Sequence, residues 1–428
     1  MIFIYRVFTT LIYPFLILFI YYRKFFNKEH PHRFKEKIFT SKFRVNRKTN
    51  SNLIWFHAAS IGEFKSIIPI IEKLINEKSK LEFLITTSTL SSSNLAIKEL
   101  RRFNNNIHHR FLPYDVEFLL DSFFRAWKPS KIFLVDSEIW PNLILKAKKN
   151  DISIALINAR LTNKSFKRWS LFLNTAKLIF GSFDMCLCSN KETKNYLEVF
   201  KVKNIKYDGN IKLINQNEKN LERKKDYEFL QNKRFWLAAS IHREEDILCL
   251  KTHLELKKTY SDIKTIIAPR HINRVDEIKL IFENEKLKTQ ILNENDIIDK
   301  NSEVIIINSF GILQNFFIYI KSVFMGKSMI ERLKNDSGQN PIEAAKLNCK
   351  VYHGPFVSNF KEIYDILKIN KISYEVTSVY DLTNKLINDL KDPRKKIENK
   401  SNNIQTLGEK ILSKTMKNIN NFLDAKNI

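Results

Sequence analysis

Glycine is the residue that this sequence most lacks: it has 8 glycines in 428 residues, where average usage is about 7%. Lysine, asparagine and isoleucine are abundant instead, which indicates a bias of the whole genome rather than a property of the fold. The remaining glycines are expected where the backbone needs a positive φ or a close approach. Six lie at predicted strand-to-loop transitions: Gly62, Gly209, Gly311, Gly326, Gly338 and Gly354.

Several signatures of nucleotide, metal and hydrolase chemistry are also missing. The chain contains no GxxxxGK[ST] P-loop, no GxGxxG, no HExxH and no GxSxG. It has no Asp-x-Asp pair either, a motif that holds a metal ion on a diphosphate. These absences predict a protein that needs no metal and no cofactor.

Cysteine is scarce, and its spacing argues against two kinds of site. The 4 cysteines, which show no CxxC pairs, are Cys186, Cys188, Cys249 and Cys349. Neither a zinc site nor a disulfide framework is therefore predicted. We expect free thiols in a reducing cytosol.

Positive charge, in contrast, is in large excess, with a formal net charge of +26. Such an excess predicts an anionic partner such as nucleic acid, a phosphorylated lipid or an anionic membrane. The lysines are spread along the whole chain instead of forming one dense tract. This distribution favours a membrane surface over nucleic acid as the partner.

An apolar run, VFTTLIYPFLILFIYY, occupies residues 7–22 and is followed by basic and histidine side chains. A cleaved signal peptide would carry its charges first and end in an A-x-A site, which is not found here. We therefore predict an uncleaved membrane anchor over residues 1–25. The cations that follow the run are Arg23, Lys24, Lys28, His30, His32, Arg33, Lys35 and Lys37.

The anchor is slightly shorter than the roughly 20 apolar residues of a comfortable span, and it contains Pro14. It either spans the bilayer or lies in the interface with its basic stretch on anionic headgroups. Both arrangements predict a protein of the inner (cytoplasmic) membrane with its main body on the cytoplasmic side. A buried core helix of the first domain is the alternative.

Short apolar runs alternate with helical patterns, which indicates an α/β fold with parallel sheets built from βαβ units. Two Rossmann-like domains are expected at this length. The predicted domains are residues 26–213 and 214–428, with a boundary segment over 214–232. Predicted strands lie near 53–57, 82–86, 131–135, 153–157, 184–188, 234–238, 264–268, 303–307, 322–325 and 350–353.

The two halves begin alike: LIWFHAAS ends at Ser60 and FWLAAS ends at Ser240. Each sequence is predicted to close the first strand of its half. Ligand loops of an open α/β sheet lie at that edge. The echo therefore favours two Rossmann-like domains that face one cleft.

In the first half, carboxylates follow two predicted strands. Glu63 is expected at the start of a helix, where either the helix dipole or a ligand accounts for it, and the dipole would lower its pKa. Asp136 and Glu138 follow the 131–135 strand, before a helix that starts with Pro141. Arg160 follows the next strand and places a guanidinium at the same edge.

In the second half, cations and a glycine-containing loop occupy the matching positions. Arg270 and His271 end a predicted strand and can bind phosphate, although such dipeptides are more often ordinary surface pairs. The loop SGQNPIEAA places Glu343 where a carboxylate can accept hydrogen bonds from ribose hydroxyls. Asn340 and Glu343 have capping-box spacing as well, so a purely structural role stays open.

Nine motifs in order make the chain resemble the 3-deoxy-D-manno-octulosonic acid (Kdo) transferases of Gram-negative bacteria. The resemblance extends from the anchor to about residue 365. It implies a metal-independent, inverting glycosyltransferase of the GT-B fold, with CMP-Kdo as donor and a lipid A precursor as acceptor. The motifs are HAASIGE, FLPYD, DSEIWPNL, NARL, YDGNIK, AASIHREE, APRHINR, SGQNPIEAA and HGPFVSNF.

The resemblance also implies residue roles. Glu63 matches the family's general base, and Glu138 matches its second essential carboxylate. The donor-binding positions are Ser240, His242, Arg270, His271, Gly338, Asn340 and Glu343. The acceptor-side positions are Ser60, Gly62 and Arg160.

Three motifs depart from the family pattern. The chain reads Ser337-Gly338-Gln339-Asn340 where Gly-Gly-His-Asn is usual, and Gly311-Ile312 where Gly-Glu is usual. It reads Gly326-Lys327-Ser328 where Gly-Gly-Ser is usual. Two alternative functions remain: a GT-B enzyme that uses a UDP-sugar on a lipid-linked acceptor, and a membrane-tethered binding module with a degenerate site.

Overall fold

The computed structural model describes most of the chain, and the predicted boundary segment 214–232 lies almost entirely outside the described residues. Contacts divide the chain into two compact units. Unit 1 comprises Met1–Asn217 and Leu407–Ile428, and unit 2 comprises Glu218–Thr406. The described residues are 1–43, 45, 51–78, 80–101, 103, 106–214, 227, 230, 233–294, 296–309, 311–392 and 401–425.

Unit 1 contains a parallel sheet in the order β3-β2-β1-β4-β5-β6-β7. Its strands are β1 (Asn52–His57), β2 (Leu81–Thr87), β3 (Ile107–Phe111), β4 (Lys131–Val135), β5 (Ser153–Ala159), β6 (Met185–Cys188) and β7 (Ile205–Tyr207). Its helices include α1 (Ile2–Phe25), α2 (Ile61–Glu77), α3 (Leu90–Leu100), α4 (Glu117–Trp127), α5 (Pro141–Lys149), α6 (Asn163–Ser170), α7 (Leu173–Phe180) and α8 (Lys191–Val199).

Unit 2 contains a second parallel sheet in the order β10-β11-β9-β8-β12-β13-β14. Its strands are β8 (Phe235–Ile241), β9 (Lys264–Pro269), β10 (Thr289–Leu292), β11 (Val304–Ile307), β12 (Ser322–Met325), β13 (Lys350–His353) and β14 (Ser373–Glu375). Its helices include α9 (Glu245–Thr259), α10 (Val275–Glu283), α11 (Leu313–Phe317), α12 (Ile342–Lys346), α13 (Lys361–Ile369) and α14 (Val379–Leu390).

The central strands are buried on both faces, as strands covered by helices must be. Every residue of β4 and of β11 is buried, and within unit 1 the rings of Phe56 and Phe133 stack 4.6 Å apart. The ten predicted strands are all present. β3, β7, β10 and β14 were not predicted.

The last helix, α15 (Ser401–Asp424), was expected in the second domain, but its residues from Leu407 onward group with unit 1. The contacts explain this placement. Phe422 packs edge-on against Phe133, with ring centres 5.2 Å apart, and Asn418 accepts a 2.6 Å hydrogen bond from Lys206.

The first helix, α1, is long and apolar enough to cross a membrane, and its most apolar window is unburied. One side is fixed to unit 1. Tyr5 donates a 2.8 Å hydrogen bond to Asp115, and Tyr13 donates a 2.5 Å bond to the carbonyl of Ile38. A buried core helix would not leave so many apolar side chains in solvent. Those exposed include Phe3, Ile4, Phe8, Leu11, Phe15, Leu18 and Phe25.

Candidate active site

Each sheet has one place where the strand order reverses direction. In unit 1 this switch point lies between β1 and β4, and in unit 2 it lies between β8 and β12. Open α/β sheets bind ligands at the carboxyl ends of the strands that flank such a point. Most predicted site residues of each unit follow these strands or their neighbours, and Ser240 lies inside β8.

Glu63 lies in the first turn of α2, directly after β1. Ser60 caps this helix and accepts a 3.3 Å hydrogen bond from the backbone N–H of Glu63. The Glu63 carboxylate accepts a 2.7 Å bond from the N–H of Ala59 and a 2.9 Å bond from the Ser60 hydroxyl. Two hydrogen bonds therefore fix the orientation of a carboxylate that is only 9% exposed.

The electrostatic surroundings of Glu63 differ from the prediction. The helix N-terminus was expected to lower its pKa. Burial instead raises the pKa above the usual value, and the nearby charges of Glu138 and Asp136 raise it further, against the lowering effect of the two hydrogen bonds. The expectation was wrong because desolvation and like charge outweigh the hydrogen bonds.

Glu138, after β4, is in the opposite electrostatic state. Burial by itself would raise its pKa, but hydrogen bonds from His57 and Trp140 lower it below the usual value. The His57 Nε2 atom lies 3.0 Å from Oε2 of Glu138, and the Trp140 indole N–H donates to the same oxygen at 2.8 Å. The two glutamates at this switch point therefore have pKa values shifted in opposite directions.

Asp136, directly after β4, and Asn158, inside β5 near its end, have left-handed backbone conformations, with φ of 62° and 54°. Asp136 forms an ion pair with Lys212. Asn158 lies at an irregularity of β5, and its side-chain oxygen accepts a 3.0 Å bond from the N–H of Ile211. Arg160 is partly buried just beyond β5, and its N–H donates a 3.2 Å bond to the Asp136 carbonyl.

Gly62 does not meet the expectation of a positive φ or a close approach. It is exposed in the first turn of α2, and a Cβ placed on it would meet nothing within 4 Å. The other five glycines do meet the expectation. Gly209, Gly311 and Gly338 have positive φ, while a Cβ on Gly326 or Gly354 would collide with backbone.

In unit 2, Glu245 joins the two loops at the switch point, a role that the sequence analysis did not assign. Its buried carboxylate accepts hydrogen bonds from the backbone N–H groups of His242, Lys327, Ser328 and Met329, at 2.7–3.2 Å. Burial raises its pKa against the effect of these bonds. The sequence did contain one indication of this role, because Glu245 follows a predicted strand at the start of a predicted helix.

Ser240 lies inside β8 and not at its end, at an irregularity in the pairing with β9. Its φ is 55°. Its carbonyl would lie 2.6 Å from a Cβ on Gly326, so the two strands flanking the switch point approach closely. Ser60, the matching residue of unit 1, is instead a helix cap.

His242 and His271 lie together after β8 and β9, with ring centres 5.6 Å apart. Burial lowers the pKa of His242 to about 4, helped by the positive charges of Lys327, His271, Arg270 and Arg274. Its Nε2 atom lies 3.2 Å from the Gln339 side-chain nitrogen. The Gln339 amide nitrogen can only donate, so it donates this hydrogen bond to Nε2 of the neutral His242 ring.

Arg270 and Arg274 differ in availability. Arg270 is exposed, and its guanidinium forms no ion pair among the described residues. Arg274 pairs with Asp246 and with Glu277, the latter at 3.2 Å. Arg270 is therefore the better placed to bind an anion.

The glycine-containing loop before α12 is tightly packed. Gly338 has a φ of 82°, and a Cβ there would lie 2.9 Å from Cα of Val357. The exposed Asn340 accepts a 3.1 Å bond from the N–H of Ile342, while Glu343 is partly buried. Among the described residues, no cluster of three or more His, Cys, Asp or Glu side chains could hold a metal ion.

Comparison with known proteins identifies the family to which the chain belongs. Residues 32–215 match the family model "3-Deoxy-D-manno-octulosonic-acid transferase (kdotransferase)". A probable mitochondrial 3-deoxy-D-manno-octulosonic acid transferase of Arabidopsis thaliana is 30% identical over 376 residues, 85% of this chain and 82% of the plant protein. This chain belongs to the Kdo transferase family.

Other relatives of the Kdo transferase family extend the match along the chain. The 3-deoxy-D-manno-octulosonic acid transferase of Rickettsia bellii is 28% identical, over 98% of this chain and 97% of that protein. Among solved structures, a UDP-GlcNAc 2-epimerase from Neisseria meningitidis superposes with a TM-score of 0.56 at 14% identity, covering 85% of this chain and all of the epimerase. That likeness supports the fold alone, which is GT-B.

Proposed function

We propose that this Kdo transferase moves Kdo from CMP-Kdo to a lipid A precursor, lipid IVA, with inversion at the anomeric carbon and without a metal. In a single displacement, an acceptor hydroxyl attacks the anomeric carbon while the bond to the CMP phosphate breaks. The hydroxyl loses its proton to a base, and CMP leaves with the bonding electron pair.

The observation that carries this proposal is that Glu63 and Glu138 are both fixed by hydrogen bonds after the strands of the unit 1 switch point, in surroundings that shift their pKa values in opposite directions. A general base works best when its pKa lies near the working pH, so burial and like charge improve Glu63 as a proton acceptor. Glu138 stays ionised, and its charge helps to raise the pKa of Glu63. We assign Glu63 as the base and Glu138 as the carboxylate that tunes it.

Unit 2 supplies the chemistry for an anionic donor. Arg270 is exposed beside His271 at the end of β9, and a guanidinium can bind phosphate through two hydrogen bonds. Such a contact strengthens as the leaving CMP gains negative charge. The loop of Gly338, Asn340 and Glu343 is assigned to the nucleotide.

A membrane is the natural place to meet a lipid acceptor. The exposed apolar side of α1 supports anchoring, and the connection between α6 and α7 adds a second apolar tip. Leu171 there is 76% exposed, and Phe172, Leu173 and Leu178 are exposed as well. Residues 160–183 contain five Lys or Arg and no acidic side chain. We assign the cytoplasmic face of the inner membrane, whose anionic lipids attract such a segment.

The deciding experiment incubates the full chain with labelled CMP-Kdo and lipid IVA in anionic vesicles, and identifies the product by mass spectrometry. The proposal expects a Kdo-bearing lipid. A thermal-shift series with CMP, CDP and UDP runs beside it. Stabilisation by UDP and none by CMP, or no transfer by a well-folded protein, would reject the assignment in favour of a UDP-sugar enzyme or a degenerate module.

A further inference from the structure

Lys327 lies at the switch point of unit 2, two residues after the end of β12. Its backbone is held on both sides. Its N–H donates a 2.7 Å hydrogen bond to Glu245, and its carbonyl accepts a 2.6 Å bond from the N–H of Gly338. The residue therefore joins the loop after β12 to the loops that carry His242 and Asn340.

The backbone conformation of Lys327 is unusual for a residue with a side chain. Its φ is 58°, in the left-handed region that glycine adopts without strain. Such a conformation is strained for a residue with a Cβ and persists only where the surroundings hold it. Glycine would satisfy the same backbone hydrogen bonds, so what lysine adds here is its ammonium group.

The ammonium group of Lys327 pairs with a solvent-exposed carboxylate. The Lys327 side chain is 15% exposed, and its Nζ lies 3.1 Å from a carboxylate oxygen of Asp336, whose own side chain is 75% exposed. Lys327 is also close enough to His242 to help keep that imidazole neutral. An ion pair with so exposed a carboxylate is weak and is easily exchanged for a bound anion.

The loop leaves an incoming anion few other partners at this point. Backbone N–H groups at the end of such a strand often bind phosphate. Here Glu245 already occupies those of Lys327, Ser328 and Met329. With His242 neutral, side-chain cations must supply the charge, and Lys327 lies two residues beyond the end of β12, at the switch point.

We propose that Lys327 is a donor-binding residue whose ammonium leaves Asp336 to bind an anionic group of the sugar nucleotide. That group is the phosphate or the carboxylate of the acidic sugar. The inference rests on the proposed function and adds to it a cation in the loop after β12.

The test compares Lys327→Gly with wild type in the full chain, by calorimetric titration with CMP and by the KM for CMP-Kdo. Loss of a charge-assisted hydrogen bond is expected to weaken donor binding about tenfold or more. Folding should not suffer, because glycine suits this φ. The control is Lys286→Gly, since Lys286 is an exposed lysine of unit 2 with a φ of 59°. The Lys286→Gly variant loses the same charge and the same backbone strain, and it should bind CMP and CMP-Kdo as tightly as wild type.

A second variant separates binding from a structural ion pair. Asp336→Asn keeps the shape that accepts the 2.8 Å hydrogen bond from Asn359 but removes the partner charge of Lys327. The proposal expects CMP-Kdo to bind as tightly as in wild type or more tightly, because the ammonium is released. Equal losses in Asp336→Asn and Lys327→Gly would show that only the ion pair matters, and would overturn the proposal.

The two ligands identify the anion. Weaker CMP and weaker CMP-Kdo binding by Lys327→Gly would place the ammonium on the phosphate, while an effect on CMP-Kdo alone would place it on the sugar carboxylate. Unchanged affinity for both ligands, with wild type binding normally, would overturn the role of Lys327 and leave the proposed function intact. Failure of wild type to bind either ligand would instead reject the proposed function, and the inference with it.

Discussion

The Nε2 atom of His57 lies 3.0 Å from a carboxylate oxygen of Glu138, and the histidine ring is completely buried. Because the low pKa of Glu138 keeps this carboxylate ionised at neutral pH, the Nε2 atom donates the hydrogen of this bond. On the other side of the ring, Nδ1 lies 3.0 Å from the Thr86 hydroxyl. His57 thus holds in place the charge that raises the pKa of Glu63.

Replacement of His57 by alanine should therefore destabilise unit 1 in a pH-dependent manner. A carboxylate whose pKa is lower in the folded state contributes stability above its unfolded value, about 4.5, and loses it as pH falls through the folded value. The difference in Tm between wild type and His57→Ala should therefore shrink as pH falls below about 4.5 and through the folded-state pKa of Glu138. The cavity left by the ring costs the same at every pH, so a constant difference would contradict the role of this hydrogen bond.

Gly62→Ala tests whether the space beside the base belongs to the acceptor. A methyl group there meets no atom within 4 Å, so folding and CMP binding should be unchanged. We expect Kdo transfer to fall at least tenfold because the methyl group enters the acceptor's path. Gly338→Ala is the contrasting variant: with a φ of 82° and a contact at 2.9 Å, it should lower Tm. Normal transfer by Gly62→Ala would place the acceptor elsewhere.

Arg270→Ala should raise the KM for CMP-Kdo and lower kcat, because the leaving phosphate gains charge in the transition state. Arg270→Lys should restore little activity, since lysine lacks the two-pronged donor geometry. Arg243→Ala is a suitable control, because Arg243 is also exposed in unit 2 but pairs with Glu277 at 3.0 Å. Steady-state kinetics that are equal for the two alanine variants would remove Arg270 from the donor site.

The exposed side of α1 can be changed without touching the side that packs on unit 1. A triple substitution to serine at Leu11, Phe15 and Leu18 leaves the bonds of Tyr5 and Tyr13 in place. We expect vesicle binding to fall strongly and transfer to bilayer-embedded acceptor to fall with it, while transfer to detergent-dispersed acceptor changes little. Serine at the exposed Ile297 and Ile369 of unit 2 is the control. Vesicle binding that survives the triple substitution would contradict anchoring by α1.

The sequence predicted the central strands of both sheets and none of their edges. The four strands that were missed, β3, β7, β10 and β14, are the outermost strands of the two sheets. A central strand is buried on both faces, so its sequence is a continuous apolar run. The sequence VIII of β11 is an example. An edge strand is partly exposed, so its sequence mixes polar and apolar residues. Strand β3 has the sequence IHHRF, and β14 has SYE.

The positions of the site residues could be predicted from the sequence, but the shifts in their pKa values could not. A strand followed by Gly62-Glu63 indicates a carboxylate at the sheet edge. Its pKa, however, depends on Glu138 and Asp136, which come more than 70 residues later and approach only in the fold. The four backbone hydrogen bonds to Glu245 were hidden for the same reason, since three of their donors lie in the loop after β12.

The ionised Glu63 carboxylate should lower the free energy of unfolding at neutral pH, because folding raises its pKa. A carboxylate whose pKa is raised by folding destabilises the folded state above that pKa, and the penalty disappears as pH falls through it. Glu63→Gln should therefore raise Tm at pH 7 by more than it does near pH 4. Ser60→Ala, which removes a hydrogen bond to the same carboxylate, should lower Tm instead.

The most direct test of Glu63 as the general base is single-turnover transfer from labelled CMP-Kdo to lipid IVA by Glu63→Gln, with CMP affinity measured on the same preparation. Glutamine keeps the shape of the side chain and cannot accept the proton, so transfer should fall by about 10²–10⁴-fold while CMP binds as in wild type. Transfer within a few-fold of wild type would contradict the assignment of Glu63 as the base, and Glu138 would then take that role.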